Sequence, residues 1–198
     1  VPKVEDCKSQ SDYLDHILHC AGCVGGSLTR RHNQINNGVR KVLSDYGIAY
    51  TIEPKGLPIE THQKLRSSYK KGLDGPDGFL GSATSLAAVE VHCAHQRLYH
   101  SAGDQHHYDS VRMMRDRKEE KYKDFEKTYE GCALQIFSVS SGGVLYWKTR
   151  KMVKEEWLPV ALNRGRQFTK NLTLEISFAV AKTIGQILEV AKMSKMER

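Results

Sequence analysis

Apolar residues recur along this chain at spacings that change from the helix period to the strand period and back. The first run, "RRHNQINNGVRKVLSDYG", has apolar residues three and four positions apart, as an amphipathic helix has: Ile35, Val39, Val42, Leu43 and Tyr46. Ser27 or Thr29 is the expected N-cap and Gly47 the stop. The next run, "IAYTIEP" at 48–54, predicts a strand that ends at proline.

A hairpin is predicted over "PDGFLGSATSLAAVEVHC". We expect a short strand near Asp77–Leu80, a turn of small residues, and a buried strand over 86–93. Residues 55–75 predict a basic, exposed excursion with one short helix.

The second half of the chain predicts three helices and one strand. A helix is expected over 109–130, closed by Gly131, since this stretch lacks Gly and Pro and is dense in helix formers. A strand is expected over 132–140, and helices over 151–165 and 171–195. This order of elements predicts an α/β fold in which helices flank a mixed β-sheet.

Composition limits the class of protein. With 198 residues, of which 39% are hydrophobic, the chain can build one core with a small appendage. It has no apolar run long enough to cross a membrane and no secretory signal pattern, so we expect a soluble intracellular protein. Because it starts at Val1 and not at Met, we expect it to be part of a longer protein. Its formal charge of +7 favours a polyanionic partner.

Two acids of the predicted hairpin are candidate metal ligands. Asp77 opens the first strand and Glu90 lies in the second, so both carboxylates can meet over one Mg²⁺ or Mn²⁺ ion. The alternative is that Pro-Asp-Gly is a turn and the glutamate is exposed. Glu90 interrupts an apolar run, however, and a buried carboxylate must be paired, protonated or bound to metal.

The predicted helix "RKEEKYKDF" at 117–125 offers a third component. Lys118, Lys121 and Tyr122 lie on adjoining turns, beside an apolar anchor at Phe125. A lysine near the attacking water can stabilise hydroxide and the negative charge on a phosphate. The alternative is a solvated helix with Glu/Lys pairs.

The N-terminal segment offers ligands for a second kind of metal. An odd total of five cysteines in an intracellular protein favours metal ligation over disulfides. The four candidates suit a tetrahedral Zn²⁺ site, and they are Cys7, His16, Cys20 and Cys23. The spacing of the first two is not a standard one, and His19 and His32 are reserves.

Together these motifs resemble a known family. Asp77, then Glu90 after twelve intervening residues, then Lys-x-x-Lys-Tyr at 118–122 resemble the restriction-enzyme-like endonuclease of site-specific non-LTR retrotransposons, a branch of the PD-(D/E)xK nuclease superfamily. "RRHN" at 30–33 resembles the start of that domain, and the Cys/His residues resemble its upstream CCHC zinc knuckle. Where the knuckle should have its first cysteine the chain has Val4, so Cys23 would complete the set. The resemblance covers most of residues 7–140.

The resemblance implies an organisation and an activity. It implies a zinc-knuckle-like element over 1–26, a restriction-endonuclease-like core over 27–150, and a C-terminal helical extension over 151–198 packed on the core. The domain would nick target DNA in the nucleus with Mg²⁺ or Mn²⁺ held by Asp77 and Glu90, and leave a 3′-hydroxyl that primes reverse transcription. RNA would be contacted by other parts of the polyprotein, and no membrane is involved. The oligomeric state is left open.

The same resemblance assigns roles to the helix residues. Many members of the superfamily have a lysine two positions after the second acid, where this chain has His92. Lys118 or Lys121 would replace it, and Tyr122 would orient that lysine or the phosphate. His32 would face the active site or the DNA, and its alternative is a histidine on the helix surface.

Basic residues are candidates for contacts with DNA phosphates, and they are Arg30, Arg31, Lys64, Arg66, Lys70 and Lys71. A second class of function stays open, a non-catalytic zinc-containing nucleic-acid-binding module. In a third, a structural interaction domain, the basic charge would be incidental.

Overall fold

The computed structural model of the protein describes residues 27–52, 76–81, 86–94, 108–128, 132–161 and 165–196. The short helix predicted within residues 55–75 lies outside these ranges. In none of the described helices is there a stretch long and apolar enough to cross a membrane.

The described strands form one mixed sheet in the order β1-β2-β3-β4. The strands are β1 (Ala49–Ile52), β2 (Gly78–Gly81), β3 (Leu86–Ala94) and β4 (Cys132–Ser140). The pairs β1–β2 and β2–β3 are antiparallel, whereas β3 and β4 are parallel. The sheet and its helices confirm the predicted α/β class, and the antiparallel pairing of β2 with β3 confirms the predicted hairpin strands.

The described helices flank this sheet. They are α1 (Ser27–Asp45), α2 (Tyr108–Lys121), α3 (Phe125–Thr128), α4 (Trp147–Met152) and α5 (Gly165–Met196). Because β3 and β4 are parallel, the chain must cross over between them, and α2 and α3 lie in that connection.

One face of the sheet carries the main apolar core, together with α1 and α5. The strands contribute Val89, Val91 and Phe137, and α1 contributes the predicted stripe that includes Ile35 and Val39. The α5 helix adds side chains at four-residue spacing: Phe168, Leu172, Ile176 and Val180. The segment after residue 150 therefore shares one core with the sheet.

The opposite face carries a smaller apolar cluster. Phe79 of β2 and Ala88 of β3 are paired in register, and both pack with Phe125 of α3 and Cys132 of β4. Since side chains alternate between the two faces of a strand, Glu90, two residues after Ala88 in β3, lies on this same face.

The helix predicted over 109–130 is wrong in one respect. It ends at Lys121, and a turn over residues 122–124 separates it from α3. The turn closes where the amide of Phe125 donates to the carbonyl of Tyr122 over 2.8 Å. The two rings pack edge to face with 6.0 Å between their centroids, and Phe125 is buried in the smaller cluster. Tertiary packing therefore overrides a sequence with strong helix propensity.

The helices predicted over 151–165 and 171–195 differ in their boundaries. The first begins earlier, at Trp147, widens into a π-helix (Val153–Trp157), and ends in a 3₁₀ turn (Leu158–Val160) that contains the proline. The wide turn accompanies the burial of Trp157, whose indole stacks on Phe137 with 5.5 Å between centroids. The second begins at Gly165.

Gly78 has a steric reason to be glycine. A Cβ atom at this position would overlap the phenol ring of Tyr50 in the neighbouring strand, whereas a Cβ at Gly81 in the same strand would meet no atom of the described residues within 4 Å. We expect Gly78→Ala to lower the free energy of unfolding by about 1–3 kcal/mol, the usual range for an overpacked site. Gly81→Ala is the matched control and should change it much less, as measured by urea denaturation. The Gly78→Ala cost should shrink in a Tyr50→Ala background; an equal cost in both backgrounds would contradict this steric explanation.

Candidate active site

The two predicted acids face each other across the hairpin. Gly78 pairs with Val89 in the antiparallel register, so Asp77, one residue before β2, stands opposite Glu90. The backbone amide of Val91 donates to Asp77 Oδ2 over 2.7 Å, which fixes that carboxylate against β3. The structure therefore brings the two acids together on adjacent strands.

Glu90 is a buried carboxylate that is 3% exposed. Lys118 Nζ donates to its Oε1, and Tyr122 Oη donates to its Oε2 over 3.1 Å. Burial, followed by the charge of Asp77, raises the pKa of Glu90, and the hydrogen bond and charge of Lys118 act against this rise. Its carboxylate is thus held between an acid that repels it and a lysine that stabilises it.

Helix geometry explains why Lys118, and not Lys121, reaches the acid. Lys118 and Tyr122 are four residues apart, so they project from α2 and the following turn in the same direction. Lys121 is exposed, and its ammonium lies 4.9 Å from the centroid of the Tyr122 ring. Of the two predicted lysines, the structure places only the first against Glu90.

Helix α1 holds Asp77 from the other side. His32 Nε2 lies 3.0 Å from Asp77 Oδ1 and 3.1 Å from the carbonyl oxygen of Val91. One turn later, Asn36 Nδ2 donates to the main-chain carbonyl of Asp77 over 3.0 Å. The predicted first helix therefore lies against the acid, and His32 faces the candidate site.

Asn36 and Tyr50 were not predicted from the sequence. The hydroxyl of Tyr50 donates to Asn36 Oδ1 over 2.6 Å, so the strand supports the amide that supports Asp77. Burial, and then the charges of Asp77 and Glu90, raise the pKa of the Tyr50 phenol, so it stays a hydrogen-bond donor. The available signal was the four-residue spacing of Asn36 from His32, which puts both on one helix face.

His32 is surrounded by hydrogen-bond acceptors. Besides the two oxygens near Nε2, Asn33 Oδ1 lies 3.2 Å from Nδ1. The hydrogen bond to Asp77 raises the pKa of His32 above its usual 6.5, although burial acts in the opposite direction. An imidazolium that donates from both nitrogens fits these contacts.

His92 is the buried polar residue next to Glu90. It is 4% exposed and lies two residues after Glu90, on the same face of β3. Among the described residues neither ring nitrogen has a hydrogen-bond partner, and the same is true of Ser138 Oγ beside it in the register. Burial, with the nearby charges of Lys118 and Arg115, lowers the pKa of His92 to about 3. It is therefore a neutral imidazole at ordinary pH.

The candidate site offers oxygen donors for a divalent cation. Asp77, Glu90 and the carbonyl of Val91 are hard ligands of the kind that Mg²⁺ and Mn²⁺ prefer. Within the described ranges no three His, Cys, Asp or Glu side chains are gathered as a complete metal site. A cation held here would use the main-chain oxygen as well as the carboxylates.

The predicted DNA contacts separate into three groups. Arg30 is exposed on α1, whereas Arg31 is 2% exposed, so its guanidinium is not on the surface where a phosphate contact was expected. The alternation follows from the helix, which turns adjacent residues to different sides. The remaining predicted contacts lie outside the described residues: Lys64, Arg66, Lys70 and Lys71.

The predicted zinc ligands lie outside the described residues too, and they are Cys7, His16, Cys20 and Cys23. Of the two cysteines that are described, Cys93 and Cys132, neither forms a disulfide.

Comparison with protein-family models and with curated proteins finds no match for the chain. The geometry of the site therefore carries the functional argument.

The low pKa of His92 predicts a pH dependence of stability. An unfolded histidine titrates near 6.5 and the folded one at about 3, so between these values only the unfolded chain binds the proton. Stability should fall as the pH drops through this window. The measurement is urea denaturation without divalent cations. When the pH falls from about 6.5 to about 5, the free energy of unfolding should decrease by about 2 kcal/mol less in His92→Gln than in the parent.

Comparison with the parent removes contributions that both proteins share. One of these is His32, whose raised pKa has the opposite sign, because its stabilisation is present at low pH and is lost as the pH rises through its folded value. Equal pH slopes in the parent and in His92→Gln would show that His92 does not titrate as described.

Proposed function

We propose that the chain is a metal-dependent DNA endonuclease of the restriction-enzyme-like, PD-(D/E)xK kind. One observation carries the proposal: Lys118 of α2 and Tyr122 of the turn after it both contact Glu90. Glu90 in turn stands opposite Asp77 across the hairpin. The four residues come from three separate segments of the chain. Two acids that can hold a divalent cation, with a lysine on a neighbouring element, suit phosphodiester hydrolysis.

The environment of Asp77 and Glu90 favours a divalent cation. Burial and the charge of Asp77 raise the pKa of Glu90, so the two acids would gain from a further positive charge between them. The cation, when bound, would lower the pKa of an attacking water and offset charge on the scissile phosphate. Asp77, Glu90 and the Val91 carbonyl would hold it.

Lys118 contributes a charge that needs no metal. Its ammonium contacts Glu90 from α2 and is partly exposed, at 25% of its side-chain surface, so it can also meet an incoming phosphate. There it would hold a proton next to the phosphate oxygens and stabilise their negative charge. Tyr122 fixes the orientation of Glu90 by its hydrogen bond to Oε2.

The DNA would approach along the outer surface of α2. Exposed basic side chains line this helix and the start of α1: Arg112, Arg117, Lys121 and Arg30. Such residues bind phosphates of any sequence and hold the backbone near the acids. Sequence preference would come from other parts of the protein.

The biological setting follows from the resemblance. The domain would nick nuclear target DNA for a non-LTR retrotransposon, and the 3′-hydroxyl would prime reverse transcription by another part of the polyprotein, which also contacts RNA. The N-terminal cysteines and histidine would hold Zn²⁺ in a knuckle.

A second candidate, a zinc-containing nucleic-acid-binding module without catalysis, has one observation in its favour. Both oxygens of Glu90 already have partners, Lys118 and Tyr122, so the buried acid is satisfied by protein groups alone. A nuclease fold that had lost its chemistry could keep this arrangement for stability.

A nicking assay distinguishes the two. The protein, incubated with supercoiled plasmid and Mn²⁺, should relax the DNA, and chelation should stop the reaction. Asp77→Asn keeps the shape of the side chain but removes its charge, so nicking should fall by about 100-fold or more. A circular dichroism spectrum like that of the parent serves as the folding control.

Other outcomes of this assay decide against catalysis. A gel shift without nicking by the parent supports the binding module, and neither a shift nor nicking supports a structural interaction domain. Equal nicking by the parent and Asp77→Asn would mean that the activity comes from a contaminant or from another site.

A second assay distinguishes the two lysines. Lys118→Gln keeps a donor for Glu90 but removes the charge, so the single-turnover nicking rate should fall by about 100-fold. Lys121→Gln removes the same charge from an exposed position, and a screened surface charge should change the rate only a few-fold. The reverse ranking would assign the catalytic role to Lys121.

A further inference from the structure

We propose that His32 is a protein ligand of the divalent cation and supplies one nitrogen to an otherwise oxygen-based site. This inference rests on the metal site of the proposed function and adds to it a residue from α1. It changes the donor set from carboxylate and carbonyl oxygens to a mixture of nitrogen and oxygen.

The distances around His32 Nε2 are the first argument. This nitrogen lies 3.0 Å from Asp77 Oδ1 and 3.1 Å from the Val91 carbonyl oxygen. Ligand atoms at neighbouring corners of an octahedron with bonds of about 2.1 Å are about 3 Å apart. His32 Nε2 therefore already lies at the separation from both oxygens that a shared cation requires.

The orientation of the ring is the second argument. Metal-binding histidines are usually held by a hydrogen bond from the ring nitrogen that does not bind the metal. His32 has this contact, since Nδ1 lies 3.2 Å from Asn33 Oδ1. The side chain of His32 is 31% exposed, so solvent and ions can reach this edge of the site.

The position of α1 relative to Asp77 is the third argument. Asn36, one turn after His32, donates to the Asp77 carbonyl, and Tyr50 donates to Asn36. These two hydrogen bonds fix the helix to the segment that carries the acid, so the imidazole and the carboxylate are positioned as a unit. A ligand pair held in this way loses little conformational freedom when it binds metal.

The alternative role for His32 is a hydrogen-bond donor only, which a cation would displace. The two roles differ in the bound state. As a ligand, Nε2 gives its proton to solvent and binds through its lone pair, while Nδ1 keeps its hydrogen bond to Asn33. As a displaced donor, His32 would move away from Asp77. A nitrogen ligand also favours Mn²⁺ and Co²⁺ over Mg²⁺ and Ca²⁺.

Electron spin echo envelope modulation of bound Mn²⁺ tests the inference directly, because it detects nitrogen bonded to the metal. The parent protein, loaded with one equivalent of Mn²⁺ without DNA, should show modulation from an imidazole nitrogen. His32→Gln should lose this signal, and its affinity for Mn²⁺, measured by titration of the free ion's resonance, should fall by about 10–100-fold. Asn33→Ala should keep the signal and lose less affinity.

Several outcomes would overturn the inference. Absence of nitrogen modulation in the parent does so whatever the stability of the variants. A signal that persists in His32→Gln assigns the nitrogen to another residue, and a rise in affinity in that variant shows that His32 competes with the cation. If the parent also nicks DNA in these cases, the endonuclease proposal stands. If the nitrogen modulation depends on His32 but the parent does not nick DNA, the inferred metal ligand is supported and the endonuclease proposal is rejected.

Discussion

The burial of one charged carboxylate constrains the rest of the site. Glu90 lies in the middle of β3, 3% exposed, where an ionised acid without partners would be strongly destabilising. The strand itself offers no cation, so the compensating charge comes from Lys118 of α2. This contact requires α2 to dock on the face of the sheet that carries Glu90. The chemistry of the site and the packing of the connection between β3 and β4 therefore depend on the same ion pair.

Asp77 is held from the opposite side of the sheet. Helix α1 packs its apolar stripe into the main core, and its polar side chains His32 and Asn36 reach the Asp77 segment. Tyr50 donates a hydrogen bond to Asn36, and its ring occupies the space that a side chain at position 78 would need. The two acids thus have different supports, one from each layer of helices. Because the hairpin pairs the two acids, the contacts from α1 and those from α2 meet at the same site.

The elements with strong local patterns could be predicted from the sequence, and contacts between distant segments could not. The order of the predicted helices and strands indicated the α/β class, and the apolar run and turn residues of the hairpin predicted that Asp77 and Glu90 lie on paired strands. The break after Lys121 and the π-helix before Trp157 depend on aromatic side chains that pack into particular clusters. No periodic pattern encodes these features. Nor does any short motif link Asn36 to Tyr50, since their partnership arises only when α1 lies against β1.

The charges around residue 92 suit a neutral histidine better than a second lysine. A strand lysine two residues after the second acid would stand on the same face as Glu90, and here it would lie close to the charges of Lys118 and Arg115. Two ammonium groups in this buried place would repel each other, whereas a neutral imidazole with a pKa of about 3 adds no charge. The position of Lys118 on a helix has a further consequence. A strand lysine would stay beside Glu90 in any conformation that keeps the sheet, but Lys118 is present only while α2 is docked. The charge balance of the two acids is therefore coupled to the docking of one helix, which also carries the exposed basic residues proposed to meet DNA.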